Sequence, residues 1–119
     1  MTKRRITLNK PNFSIVIPTY NERENISKIL EKLRDSLKEV TYEIVFVDDD
    51  SPDGTSEEVK VFMKKSQNIH LIRRIGRRGL SGAVIEGIYA ANASLVGVMD
   101  CDLQHDESKL LEMYTLFKK

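Results

Sequence analysis

Two carboxylates one residue apart end a short apolar run in Val98–Glu107: Asp100-Cys101-Asp102, followed by Gln104, His105, Asp106 and Glu107. Oxygen donors grouped this way suit a hard divalent cation. Mg2+ and Mn2+ keep several waters and share their coordination shell with phosphates. An extended backbone would point Asp100 and Asp102 to opposite faces, whereas a turn would let them converge. A lone Asp-x-Asp is most often a solvated acidic turn. This pair stands at the end of a buried strand, with Gln104 as a further oxygen donor.

Other residues extend the chemistry. Asp48, Asp49 and Asp50 are three adjacent carboxylates whose repulsion calls for a cation, backbone N–H groups or a ligand N–H. An acidic residue at the end of a second strand often accepts from a ribose hydroxyl or a base N–H. That role is expected of Asp49, while Asp50 and Asp53 are expected to cap backbone in the turn. Tyr20 offers a ring on which a base could stack, or is a tyrosine at the edge of the core. Arg73, Arg74, Arg77 and Arg78 offer charge for a diphosphate, and at least two of them are expected to be solvated surface charges. Gly76 and Gly79 do not form a Walker loop, and no Gly-x-Gly-x-x-Gly follows the first strand. His70 lies within a strand and reads as structural. Cys101 has only His105 nearby as a base, so nucleophilic catalysis is not expected of it.

The elements that must position these residues alternate along the chain. Phe13–Pro18 and Tyr42–Val47 are apolar, β-branched strands; Asn68–Arg73 and Leu95–Met99 are a third and a fourth. Between them lie helices with inward stripes. Ile26, Ile29, Leu30, Leu33 and Leu37 form the first stripe. Val59, Phe62 and Met63 form the second, and Ala83, Val84, Ile88 and Ala91 the third. Asn21 with Glu24, and Thr55 with Glu58, have capping-box spacing. A last helix is expected over about Ser108 to Phe117. Continuous apolar strands in a β-α-β order indicate a parallel sheet covered on both faces. Right-handed crossovers then bring the Tyr20, Asp48–Asp50, Arg77/Arg78 and Asp100–Glu107 loops to one carboxyl edge, where ligands bind in open α/β sheets.

Composition bounds the reading. The 119 residues suit one domain, and 19 basic against 18 acidic residues give a formal charge of +1, no case for bulk nucleic-acid binding. With Cys101 the only cysteine, no internal disulfide can form, which fits a reducing compartment. No apolar run reaches the ~18 residues of a spanning helix. The start, Met1-Thr-Lys-Arg-Arg, is basic without the apolar core of a signal peptide. Residues 1–12 read as a flexible basic leader and 13–119 as the folded domain.

Four motifs stand in register: Ile15–Ile26, Val47–Thr55, Gly79–Ala83 and Met99–His105. Together they resemble the family 2 glycosyltransferases, and within them the dolichol-phosphate mannose synthase group. The resemblance implies a GT-A fold whose nucleotide-binding half is Rossmann-like, with a parallel sheet and helices on both faces. It implies that Pro18, Tyr20 and Glu22 contact the nucleotide, that Val47 and Asp49 meet its base or ribose, and that Arg78 belongs to the nucleotide-sugar site. Asp100 and Cys101 would line the sugar–diphosphate site. Asp102 and Gln104 would hold Mg2+ or Mn2+ with Asp100 close by, making Asp100 and Asp102 the catalytic pair. The family's middle residue is usually alanine or glycine, where this chain has Cys101. His105-Asp106-Glu107 replaces the more usual His-Pro-Pro.

The implied reaction is metal-dependent, inverting transfer of mannose or glucose from a GDP- or UDP-sugar, such as GDP-mannose or UDP-glucose, to a polyprenyl phosphate (dolichyl or undecaprenyl). The acceptor phosphate is already anionic, so no dedicated general base is required. Catalytic domains of this group are about twice as long, so the chain is expected to hold the donor-binding half and not to catalyse alone. A non-catalytic nucleotide- or metal-binding or interaction module is the alternative. A receiver domain would need a late-strand lysine that is absent. The expected setting is cytoplasmic, with peripheral contact at the cytoplasmic membrane face. An incomplete sheet would expose an edge strand or an apolar face, so self-association is expected.

Overall fold

The computed structural model describes residues 10–101. The leader expected over residues 1–12 falls largely outside this range. The helix expected over Ser108–Phe117, and Asp102, Gln104 and His105, lie wholly outside it. The elements are β1 (Phe13–Thr19), a 3-10 turn (Arg23–Asn25), α1 (Ile26–Ser36), β2 (Tyr42–Asp48), α2 (Thr55–Met63), β3 (Ile69–Arg73), α3 (Leu80–Ala90) and β4 (Leu95–Val98). All strand pairs are parallel, in the order β3-β2-β1-β4.

The strands read as unbroken apolar runs because each face of the sheet has its own core. Ile15, Ile17, Ile44 and Phe46 join Ile26, Ile29, Leu30, Leu33 and Leu37 of the first helical stripe, together with Val59. The alternate residues Val16, Val45 and Val47 face Ala83 of α3. The chain builds outward from β1 to β3, then returns across β1 to β4. That reversal puts α1 and α2 on one face and α3 on the other. It also places the topological switch point of the sheet between β1 and β4.

Two helical stripes differ from expectation. On α2, Val59 is buried and Phe62 packs partly against the core, but Met63 is exposed. On α3 the buried positions are Ala83 and Gly87, while Ile88 is exposed. The reason is close approach: a Cβ on Gly87 would come within 2.3 Å of Val16 Cγ1. Small residues four apart let the helix sit directly on the valine layer, so the larger side chains turn outward.

At the amino edge of the sheet, away from the loops, Glu43 is buried. It accepts from Ser14 Oγ at 2.6 Å, Asn92 N at 2.6 Å and Asn92 Nδ2 at 2.9 Å. His70 Nε2 lies 3.1 Å away, so His70 is structural, as its place in a strand suggested. Burial works to raise the Glu43 carboxyl pKa, but the hydrogen bonds from Ser14 and Asn92, with His70 nearby, outweigh it and hold the pKa below its ordinary value.

Candidate nucleotide-binding site

The loops after β1 and β2 are tied together amide by amide. Asn21 N donates to Ser51 Oγ at 2.8 Å, Glu22 N to Thr55 Oγ1 at 3.0 Å and Arg23 N to Asp53 Oδ2 at 3.2 Å. Neither expected capping box forms. Asn21 adopts φ +56° and caps nothing, and the N-caps Glu22, Asn25 and Gly54 make no side-chain cap bonds. The Thr55 hydroxyl serves the Glu22 amide and Asp53 instead, so cross-loop bonding has taken the groups that local capping would use.

The three adjacent carboxylates each find a different partner. Asp48 is fully buried beneath the loops and accepts four hydrogen bonds. They come from Thr19 Oγ1 (2.7 Å), Ser51 Oγ (2.6 Å), Ser51 N (3.0 Å) and Ser56 Oγ (2.8 Å). Asp49 Oδ2 accepts from Gly79 N at 3.0 Å, and its Oδ1 lies 3.5 Å from Arg74 Nη1. Asp50 turns outward and takes Arg73 Nε at 3.0 Å and Nη2 at 2.7 Å. The expected backbone cap therefore holds for Asp53, which accepts from the Arg23 and Thr55 amides, but not for Asp50. Asp50 sits at φ +57° with its side chain committed to arginine.

The loop after β3 closes over this floor. Gly76 and Gly79 adopt φ +80° and +123°, which lets the loop reverse. Arg78 reaches back to Tyr20, Arg77 pairs with Glu86 in a two-bonded fork, and Arg74 goes inward. The fork to Arg77 is the main cause holding the Glu86 carboxyl below its ordinary range. The expectation that two arginines are surface charges fits Arg73 and Arg77, both in exposed ion pairs.

Most of the expected site residues that are described gather at this edge. Tyr20 is exposed, Glu22 half-buried, Asp49 nearly covered and Arg78 exposed. Pro18 is the half-buried penultimate residue of β1. Val47 is fully buried beneath α3, so its side chain offers nothing to a ligand. At the exit of β4, Met99 N continues the ladder to Val16 O, Asp100 is exposed and Cys101 is buried in the larger core. Asp102 and Gln104 lie outside the described residues, and among the described residues no cluster of three His, Cys, Asp or Glu could hold a metal ion. Reading the residues one by one missed Asp48 as a hub and Arg74 as a buried cation. The hydroxyls at Thr19, Ser51 and Ser56 were the available signal for Asp48.

A parallel α/β sheet thus brings an aromatic ring, a half-satisfied carboxylate and several arginines together at its carboxyl edge. The family model for Glycosyl transferase family 2 matches residues 14–119. The chain belongs to that family. Family 2 relatives include the dolichol-phosphate mannosyltransferase of Pyrococcus furiosus, 47% identical over 92 residues, 77% of this chain and 26% of that protein. The dolichol-phosphate mannosyltransferase of Saccharomyces cerevisiae is 34% identical over 105 residues, 86% of this chain and 39% of that protein. Among solved structures, the mannosyltransferase PcManGT from Pyrobaculum calidifontis, in complex with GDP-Man and Mn2+, superposes with a TM-score of 0.68 at 27% identity. The match covers 85% of this chain and 30% of that one. The chain therefore spans between about a quarter and two-fifths of the length of these curated relatives. The fold is a parallel, Rossmann-like α/β sheet that matches GT-A glycosyltransferase structures, as the resemblance implied.

Proposed function

We propose that this chain carries the donor site of a glycosyltransferase that moves mannose or glucose from a GDP- or UDP-sugar to a polyprenyl phosphate, with inversion. The observation that carries the reading is the locked convergence of the Tyr20, Asp49 and Arg78 loops at one sheet edge. A base stacks on Tyr20, Asp49 accepts from the base or ribose, and Arg78 stands at the diphosphate side. The two dolichol-phosphate mannosyltransferase relatives favour mannose and a polyprenyl phosphate acceptor.

Asp102 and Gln104, together with Asp100, would hold the metal. Their oxygen-only donor set suits Mg2+ or Mn2+. The chemistry supplied at those residues would be neutralisation of charge on the departing nucleoside diphosphate. The chain's own residues orient the donor, and orientation supplies much of the remaining acceleration. The reading places the protein in the cytoplasm, peripherally at the membrane face. No helix among the described residues is long and apolar enough to cross a membrane. Exposed Ile85, Ile88 and Tyr89 on the outer side of α3 favour self-association; a strictly monomeric sedimentation profile at high concentration overturns it.

Calorimetry with GDP and UDP, with and without Mn2+ or Mg2+, tests the site. Metal-dependent binding that disappears in Asp102→Ala is expected. Tight binding of either nucleotide without metal overturns the metal assignment, and turnover by this chain alone overturns the half-site reading.

A further inference from the structure

Arg74 is the buried cation of the described chain, with only 3% of its surface exposed. Its guanidinium has a defined seat. Nη1 donates to the Gly79 carbonyl oxygen at 3.0 Å and lies 3.5 Å from Asp49 Oδ1. Nε stands 3.2 Å from Glu86 Oε2 without the alignment of a hydrogen bond. Nη2 rests against the first turn of α3, where a Cβ on Gly82 would come within 2.8 Å of it. A buried guanidinium is costly unless opposite charge faces it, and here two carboxylates do.

Arg74 and Asp49 also share a partner. Asp49 Oδ2 accepts from the Gly79 amide, while Arg74 donates to the Gly79 carbonyl. The three residues close a ring joining the ends of β2 and β3 to the start of α3. Asp49 Oδ1 is wholly covered inside that ring and makes no hydrogen bond there. Only 13% of the Asp49 side chain stays exposed, so Oδ2, with a lone pair to spare beyond Gly79, is the oxygen that can meet a ligand. The Arg74 charge thus faces the inward oxygen, and the Gly79 amide holds the other.

We propose that Arg74 is a positioning residue for nucleoside recognition, acting through Asp49. Its guanidinium fixes the carboxylate so that Oδ2 faces the N–H or hydroxyl of a bound nucleoside. The proposal rests on the nucleotide-site reading above, and it assigns Arg74 to the nucleoside end of the ligand rather than to the diphosphate.

The test compares GDP, UDP and inorganic pyrophosphate, each with Mn2+, binding to the full chain by calorimetry. Arg74→Met is expected to weaken both nucleotides on the order of tenfold, the size of one lost charge-assisted interaction, and to leave pyrophosphate unchanged. In an Asp49→Asn background, Arg74→Met should change nucleotide affinity less than about twofold, because the residue it acts through is already altered. Gly82→Ala supplies a second arm that keeps the charge. The added methyl displaces the guanidinium, while alanine suits a helix better than glycine. It should weaken nucleotide binding while the chain stays folded, and it decides the matter if Arg74→Met does not fold. Unchanged nucleotide affinity in Gly82→Ala and in folded Arg74→Met overturns the proposal. So does equal loss of pyrophosphate, or full additivity with Asp49→Asn. An unsubstituted chain that binds pyrophosphate but neither nucleotide overturns the nucleotide-site reading itself, and the role of Arg74 with it.

Discussion

The Arg78 guanidinium lies 4.4 Å from the centre of the Tyr20 ring and donates from Nη2 to the Tyr20 hydroxyl at 2.7 Å. These residues are 58 positions apart, and their contact joins the first and third loops of the carboxyl edge. A cation over one ring face leaves the other for a base. Tyr20→Ala should therefore weaken GDP and UDP binding about tenfold, in line with the ~1–3 kcal/mol of a base–aromatic stack. Tyr20→Phe keeps the ring and should stay within about twofold. Calorimetry reads both, and an equal loss in the two variants would assign the effect to the hydroxyl instead of the stack.

Asp48 should matter for stability more than any other loop carboxylate. Asp48→Ala leaves the donors of Thr19, Ser51 and Ser56 unpaired in a fully buried site. A loss of about 3 kcal/mol or more is expected in denaturant unfolding. Asp50→Asn, which tolerates the same positive φ, removes only an exposed pair with Arg73 and should cost less than about 1 kcal/mol. Similar losses for the two would contradict the hub.

Gly87→Ala sets helix propensity against packing. Alanine gains about 1 kcal/mol in a helix interior. Its methyl would meet Val16 Cγ1 at 2.3 Å and Val47 Cγ2 at 3.1 Å, and such overpacking costs about 1–3 kcal/mol. A net loss of stability is expected, and Val16→Ala in the same chain should recover part of it. A Gly87→Ala protein as stable as its parent would mean that α3 can lift from the sheet at no cost.

The acid limb of the stability curve should carry the signature of Glu43. Its folded pKa is depressed, so its contribution is fully present above the unfolded carboxyl value of about 4.3 and fades as pH falls through the lower folded value. Glu43→Gln should therefore destabilise the protein at neutral pH and flatten the loss of stability below about pH 4. Urea unfolding across that range measures it. A variant with an acid limb as steep as the parent's would place the titrating group elsewhere.

The fold was legible because its strands are buried on both sides, which leaves no polar alternation to confuse the reading. Ile15 and Val16, adjacent in sequence, enter separate cores. The gathering of Tyr20, Asp49 and Arg78 followed from topology alone, since parallel strands send their exits to one edge. Bonds that cross between loops could not be read the same way. Thr55 and Glu58 have the spacing of a local cap, but the Thr55 hydroxyl answers an amide 33 residues away. Arg74 looked like its three arginine neighbours. What sends it inward is Asp49 on one side, Glu86 on the other and the absent side chain of Gly82, none of them near it in sequence. Met63 and Ile88 were misassigned because helical periodicity gives a stripe but not how closely the helix approaches its sheet.

The three successive amides of Asn21, Glu22 and Arg23, each spoken for by the neighbouring loop, bear on the timing of events. These loops lose their freedom when the chain folds, before any nucleotide arrives. Capture should then be a single encounter, its observed rate rising in proportion to nucleotide concentration without the plateau of a slow rearrangement. Specificity in such a site would reside in how long the nucleotide stays rather than how quickly it enters.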